Sequence, residues 1–420
     1  MRRVLELGDG AQNRLDSGAV DRVVKTLAVR YYVNGTYQRV GEDVRVVARL
    51  VDADIGTITV QESLTDRFAN LLQLQDDLSR RFATALNESP AIGLQARTSS
   101  LAAYQSVAEA NDLYLAGRYR DAIERLKDSV KQDETYADAW ALLGKSYARQ
   151  ASNAMLDSAA RLEFQSEALT ASLRAAEISP TLYEGQVSLA LAYRALEQFE
   201  PARQAAQRAI DLNPRLAEGY EILATSYYAA AAYGCARLRD PKIAEGLYAK
   251  ALELDPQLGS VHASLIYHLL WMNRLQAALD VANAALALRP KDAAIMRARS
   301  VALLFLQRTD EVFRQLGDIA TLTPRSIQDD WVLAVAGVMV GNHDVRQLAG
   351  VIERGPVSLR EIDTARVYGL IGDPRTAAHH LDRAFLADPS CVTFVAQSPA
   401  FAPFRDHRAI QDVMSKRRVP

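Results

Sequence analysis

Along most of this 420-residue chain, apolar side chains recur at three- and four-residue steps, and the stretches so patterned are broken at intervals by proline. That period belongs to amphipathic helices with one buried face. Pro180, Pro214, Pro256, Pro290, Pro324 and Pro389 each close such a stretch, at spacings of 34, 42, 34, 34 and 65 residues. Small residues keep the same clock. Ala168, Ala202, Ala244, Ala278, Val312 and Ala377 each precede one of these prolines by 12 residues, and Ala175, Ala209, Ala251, Ala285, Ile319 and Ala384 form a second aligned column. Small side chains at fixed places let two antiparallel helices, and the pair that follows, approach closely. The pattern therefore predicts helical hairpins stacked side by side. Larger residues fill the remaining space: Trp140, Leu143, Gly144 and Tyr147, then Leu189, Ala190 and Tyr193, then Tyr220, Leu223, Ala224 and Tyr227.

These residues resemble the W…LG…Y…A…F…A…P pattern of tetratricopeptide repeats, whose period is about 34 residues. The fold class that follows is mainly α, a tetratricopeptide α–α superhelix preceded by a small α+β domain. The expected division is residues 1–90 for that domain, 91–100 for a linker, 101–392 for seven or eight repeats and 393–420 for a capping segment. Two repeats are enlarged, by about twelve residues around Ser152 to Leu162 and about eight around Ala230 to Pro241, and both enlargements are expected to be extended hairpin turns. Between Ile327 and Val357 the alanine column fails, with Arg346 in its place, which predicts a break in the superhelix. The segment from Ser398 to Asp406, with the helix carrying Ile410, Val413 and Met414, is expected to cover the last apolar face.

The first ninety or so residues read differently. A helix from about Ser17 to Ala28 precedes three runs of strand character, Tyr31 to Val40, Val44 to Val51 and Thr57 to Glu62. They are joined through turn residues at Gly41-Glu42-Asp43 and Asp52 to Gly56. A helix from Arg67 to about Leu86 follows, with Phe68, Leu71, Leu72, Leu74, Leu78 and Phe82 on its apolar side. Gly35-Thr36-Tyr37-Gln38-Arg39, Arg49-Leu50-Val51-Asp52-Ala53 and Leu74-Gln75-Asp76-Asp77 resemble the motifs of the TolB amino-terminal-like domain of bacterial regulators. In similar proteins that domain stands before tetratricopeptide repeats and behind a protein kinase, nucleotide cyclase or winged-helix output domain. The resemblance implies, as an alternative to an independent scaffold, a sensory or regulatory carboxy-terminal portion of such a signalling protein.

Charge narrows the partners. Acidic and basic residues nearly cancel, giving a formal net charge of −2, so no global field draws the chain onto nucleic acid. The basic run Lys416-Arg417-Arg418 reads as a solvated tail. Nothing approaches the ~20 apolar residues of a membrane helix, and the run from Val332 to Val340 is too short. Cys235 and Cys391 lack CxxC spacing, so neither a disulfide framework nor a zinc site is expected and a reducing compartment is the simpler assumption. The default location is cytoplasmic, or periplasmic for part of a longer membrane-anchored protein.

Chemistry-bearing motifs are weak. Gly144-Lys145-Ser146 ends like a phosphate loop, but Ala139 stands where the earlier glycine belongs and the tripeptide falls inside a repeat helix. Gly8-Asp9-Gly10 reads as a turn. The histidines form no His-x-x-x-His pair, and His379 and His380 point to different helix faces. Asp52, Asp54 and Gly56 lack the later glutamate of a calcium loop. No Gly-x-Ser-x-Gly or kinase set is present. The expectation is a non-enzyme with no catalytic residues, metal or cofactor.

Stacked hairpins line a concave wall with the first helix of each repeat. Counting Ala137, Tyr183, Ala217, Gly259 and Ala293 as first positions, the wall is expected to present Lys145, Arg149, Arg194, Glu221, Tyr228, Tyr267, Trp271, Arg297 and Phe305. One end is charged and the other aromatic. Such a wall suits a protein or peptide partner, with the cations pairing carboxylates and the rings acting as anchors. The sequence sets no oligomeric state.

Overall fold

A computed structural model of the chain describes residues 30–86, 98–152, 158–233, 241–323, 327–341, 361–387, 391–397 and 401–417. The helix expected over Ser17 to Ala28, the Gly8-Asp9-Gly10 turn and most of the linker lie outside these residues. Two compact units divide the chain. One takes in a sheet, a helix packed on it and most of the first helical hairpin, and the other takes in the helices from Trp140 onward. Among the described residues no helix is long and apolar enough to cross a membrane.

The first unit opens with β1 (Tyr31–Val40), β2 (Asp43–Asp52) and β3 (Thr57–Arg67), an antiparallel meander in that order. Val40 pairs with Asp43, so the first turn is two residues long, and Gly41 takes its left-handed conformation at φ 64°. In the second turn Asp52 Oδ1 accepts from the Asp54 amide at 3.0 Å, and the Gly56 amide donates to the Asp52 carbonyl at 2.9 Å. A turn thus accounts for the carboxylates that resembled a calcium loop. β3 runs past its expected end at Glu62, because Ser63 to Arg67 continue to pair with Val47 to Asp43. The helix, α1 (Leu71–Ala85), consequently starts later than expected, after a short 3-10 turn at Phe68–Asn70. Phe82 and Leu78 lie against Ala48 and Leu50, flanked by Tyr31, Val33 and Val60. Helices α2 (Leu101–Leu115) and α3 (Tyr119–Gln132) form the first hairpin, tied by the buried Ser129 hydroxyl, which donates to the Ala103 carbonyl at 2.9 Å.

The second unit is a run of paired helices: α4 (Ala137–Ala151) with α5 (Ser158–Ile178), α6 (Tyr183–Ala195) with α7 (Phe199–Leu212), α8 (Ala217–Tyr233) with α9 (Pro241–Leu254), α10 (Gly259–Trp271) with α11 (Leu275–Leu288), and α12 (Ala293–Phe305) with α13 (Thr309–Leu322). α14 (Ile327–Met339), α15 (Glu361–Leu370), α16 (Pro374–Ala387), α17 (Cys391–Gln397) and α18 (Arg408–Arg417) follow. The first helices begin at the residues from which the wall was counted. Every member of the first small-residue column is at most 2% exposed and every member of the second at most 5%, as close helix contact demands.

Turn chemistry sets the period. Glu197, Asn273 and Gln307 occupy the left-handed region at φ 60°, 55° and 58°, each just past a first helix, and Gly341 takes the same place after α14. The following amides of Gln198, Arg274 and Arg308 reach back to the carbonyls of Tyr193, Leu269 and Leu303 at 2.8–2.9 Å, the Schellman closure of a helix end. Between repeats, the Asn213 and Asp255 side chains accept from the amides two residues on, which fixes the turn at Pro214 and Pro256.

Three expectations are corrected. The enlarged repeats spend part of their extra length on helix: α5 has 21 residues against 14 in α7, and α8 has 17 against 13 in α6. The basic end is not simply solvated, since Arg417 Nε pairs with Asp382 at 3.0 Å. Cys391 is disulfide-bonded, where the cysteine spacing suggested no disulfide framework, and Cys235 lies outside the described residues.

Beyond α14 the stacking changes. α15 turns back onto α10, where Arg366 Nη2 donates to the Leu270 carbonyl at 2.8 Å. Phe401, Ile410 and Met414 are at most 1% exposed and share a core with Trp271, Tyr368 and Phe385, so the closing segment does cover an apolar face.

Candidate interaction surface

Helices α4, α6, α8 and α10 bring their inner faces together. Lys145 on α4 reaches Glu218 on α8, Nζ to Oε1 at 2.7 Å, passing over α6. A contact that skips a repeat is possible only on the inside of a curved stack, so these first helices line the concave wall. Glu221, one turn beyond Glu218, is 6% exposed and accepts from the Ser260 hydroxyl of α10 at 2.8 Å. Burial pushes its carboxyl above the usual range, while Arg149 of α4, the Ser260 hydrogen bond and Arg194 of α6 pull it back and Glu218 adds to the rise. Beneath this layer the Gly219 amide donates to the Tyr183 hydroxyl at 2.9 Å. Burial, reinforced by Glu218, keeps that phenol protonated well beyond its ordinary range. The Tyr248 and Thr225 hydroxyls lie 3.3 Å apart.

Four of the expected wall residues, Lys145, Arg149, Arg194 and Glu221, thus belong to one polar cluster contributed by successive first helices. Gly144 and Ser146 beside them are structural. A methyl group at Gly144 would collide with the hydroxyls of Ser172 and Ser188, which lie 2.5 Å apart, and the Ser146 hydroxyl bonds back to the Leu142 carbonyl. Glu218 and Ser260 were missed by the register count. Both stand at the second position of their helices, where Asp138 and Glu184 also occur. Acids in a first helical turn are explained by the helix dipole, which hides any groove role.

The aromatic end is not brought to the same surface. Trp271 is 5% exposed and lies in the core formed by α15, α16 and the closing segment. Arg366 enters that core with its guanidinium 4.3 Å from the Phe305 ring centroid and 5.8 Å from that of Trp271, a buried cation over two aromatic faces. Tyr267 is half-buried against the core of α10 to α14. Arg297 Nε meets both Asp329 oxygens at 3.1 Å, and its Nη2 donates to Thr323 at 2.7 Å, tying α12 to α14. The Tyr228 side chain lies outside the described residues. The correction has a physical cause: α15 folds onto the C-terminal end of α10 and fills the space the repeat count leaves open.

The buried Glu221 supplies a pH test. Its carboxyl is raised in the folded chain, so ionisation opposes folding above the ordinary carboxylate pKa of 4.5, and that penalty vanishes below it. Glu221→Gln is therefore expected to gain stability relative to the parent as pH rises from 4 to 8, read from urea midpoints at each pH. A pH-independent difference would place the carboxylate in solvent.

The architecture is a tetratricopeptide-type α–α superhelix, with a small antiparallel sheet ahead of it. Solved structures that resemble the chain include a thermophilic tetratricopeptide protein of Thermus thermophilus, 22% identical, with a TM-score of 0.41 over 48% of this chain and 100% of its own. A tetratricopeptide repeat protein from Parabacteroides merdae is 13% identical, with a TM-score of 0.42 over 66% of this chain and 99% of its own. The Cut9–Hcn1 hetero-tetramer of APC/C gives 11% identity and a TM-score of 0.49 over 82% of this chain and 59% of that one. No family model and no curated protein matches the chain.

Proposed function

We propose that the chain is a non-catalytic protein-interaction scaffold, and that its partner, a protein segment or peptide, binds along the wall of α4, α6, α8 and α10. The observation that carries this reading is the polar cluster itself: Lys145, Arg149, Arg194, Glu218, Glu221 and Ser260 come from four helices and converge on one curved face. A stack needs no such cluster to hold together, since the alanine columns and apolar cores already do that. A wall carrying cations and carboxylates side by side suits a partner with both acidic groups and hydrogen-bond donors. The reading differs from the sequence expectation in one respect: the aromatic half, with Trp271 and Phe305, is left out of it.

The test is capture of the partner by the full chain and by its Arg149→Ala and Arg194→Ala variants. Arg208→Ala, on the exposed face of the second helix α7, serves as control. Each wall substitution is expected to weaken binding by about tenfold or more with unchanged helicity, while the control binds like the parent. Equal binding by all three variants would remove the wall from the interface.

A second reading, a regulatory portion of a larger signalling protein, draws on the first unit. The residues that resemble a TolB amino-terminal-like domain fall on β1, the end of β2 and α1, one sheet with its packed helix. An output domain encoded in frame upstream would favour it.

A further inference from the structure

We infer that the outer edge of β1 pairs with the same edge of a second copy of this chain, antiparallel about a two-fold axis, and joins the two three-stranded sheets into one. In the meander β1 has β2 on one side and no strand on the other. Which backbone groups of β1 face outward follows from its turn. A two-residue hairpin loop closes on a hydrogen-bonded pair, here Val40 and Asp43, and such pairs then alternate along the ladder. The even-numbered residues of β1 therefore bond to β2, and Arg30 keeps that phase, its carbonyl accepting from the Ala53 amide at 2.7 Å. Tyr31, Val33, Gly35, Tyr37 and Arg39 turn their amides and carbonyls outward, and no hydrogen bond among the described residues uses these groups. Residues 34–40 are all exposed.

This edge is undefended. Strands left open to water are ordinarily blunted by proline, lysine or several charges. Between Tyr31 and Val40 the one charged residue is Arg39, whose guanidinium is engaged over the Phe68 ring at 3.9 Å. The opposite edge, β3, carries Glu62, Asp66 and Arg67, with Arg81 of α1 paired to Glu62 at 2.9 Å.

Self-complementarity selects the occupant. Centred on Gly35, two copies of the strand overlap over residues 31–39. That register sets Val33 opposite Tyr37 and Tyr31 opposite Arg39 on the face against which α1 packs, and Asn34 opposite Thr36 and Tyr32 opposite Gln38 on the other. Aromatic rings thus meet an aliphatic group and a cation, an amide meets a hydroxyl, and no like charges face each other. Tyr37 is 73% exposed, more than any other large apolar side chain among the described residues, and the pairing lays it on Val33 of the second copy. Centring one residue along, on Thr36, sets Val33 against Arg39 and Tyr37 against Gly35, and forfeits both aromatic contacts.

Sedimentation of the full chain between about 1 and 100 µM tests the pairing. A monomer–dimer equilibrium is expected, and a monomer throughout overturns the proposal. Tyr37→Pro removes an outward N–H and no bond to β2, and Tyr37→Lys sets a charge against Val33 of the second copy from a position already in water. Both are expected to raise the dimer dissociation constant by about tenfold or more. Should the proline variant unfold, Tyr37→Lys decides alone, and a dimer it leaves unchanged overturns the pairing. Oxidising a mixture of Asn34→Cys and Thr36→Cys chains must link the two variants through those positions, as peptide mapping shows, because opposed residues outside the hydrogen-bonded pairs have the spacing a disulfide needs. Thr36→Cys chains linked preferentially to each other, or a dimer giving neither link, overturn it equally.

Discussion

Trp271→Ala is expected to cost about 3–5 kcal/mol of folding stability, measured as a lowered urea midpoint at constant slope. The ring is 5% exposed, at the end of α10, and touches the core built by Ile362, Tyr368, Phe385, Phe401 and Met414. Removing it leaves a cavity that side chains from four separate helices cannot collapse to fill, and it also withdraws one of the two aromatic faces from the Arg366 guanidinium. Trp271→Phe keeps most of the volume and should recover more than half of the loss. An open-wall tryptophan behaves differently: its removal changes stability by under about 1 kcal/mol and reduces partner capture. That second pattern would return the aromatic end to the interface and contradict the core assignment.

Arg297→Ala should destabilise the chain by a comparable amount, about 3–5 kcal/mol, because it removes the guanidinium that faces the carboxyl of the buried Asp329. Asp329 is 3% exposed, and both of its oxygens face Arg297 at 3.1 Å. Replacing the pair together, Arg297→Met with Asp329→Leu, should be nearly neutral, since no charge is then stranded. Thermal melts of the single and the paired replacement check both expectations. Equal deficits for the single and paired replacements would mean that packing, and not charge, holds α12 to α14.

Much of the array was legible because its determinants are local. Pro214 and Pro256 mark turns that Asn213 and Asp255 make with their own backbone, and Ala202, Ala244 and Ala278 mark helix crossings that tolerate nothing larger. Such features repeat at fixed spacing, so a single chain displays them. The polar wall was partly legible for the same reason: Lys145, Arg149, Arg194 and Glu221 follow from counting along first helices. What escaped depends on contacts between distant parts of the chain. The return of α15 onto α10 puts Arg366 against Leu270, and no periodicity signals a fold-back. Trp271 and Phe305 therefore read as anchors when they are packing. The length of β3 was missed because Ser63 to Arg67 are mostly polar, and their strand conformation is imposed by pairing with β2.

The Lys145–Glu218 ion pair has a mechanical corollary. Nearest-neighbour contacts leave a coil free to lengthen by small equal tilts at every joint, as in a spring of identical turns. A strut from α4 to α8 spans two joints, so neither can tilt without the other. Stretching across α4 to α8 is therefore resisted by the strut as well as by the stacked helices.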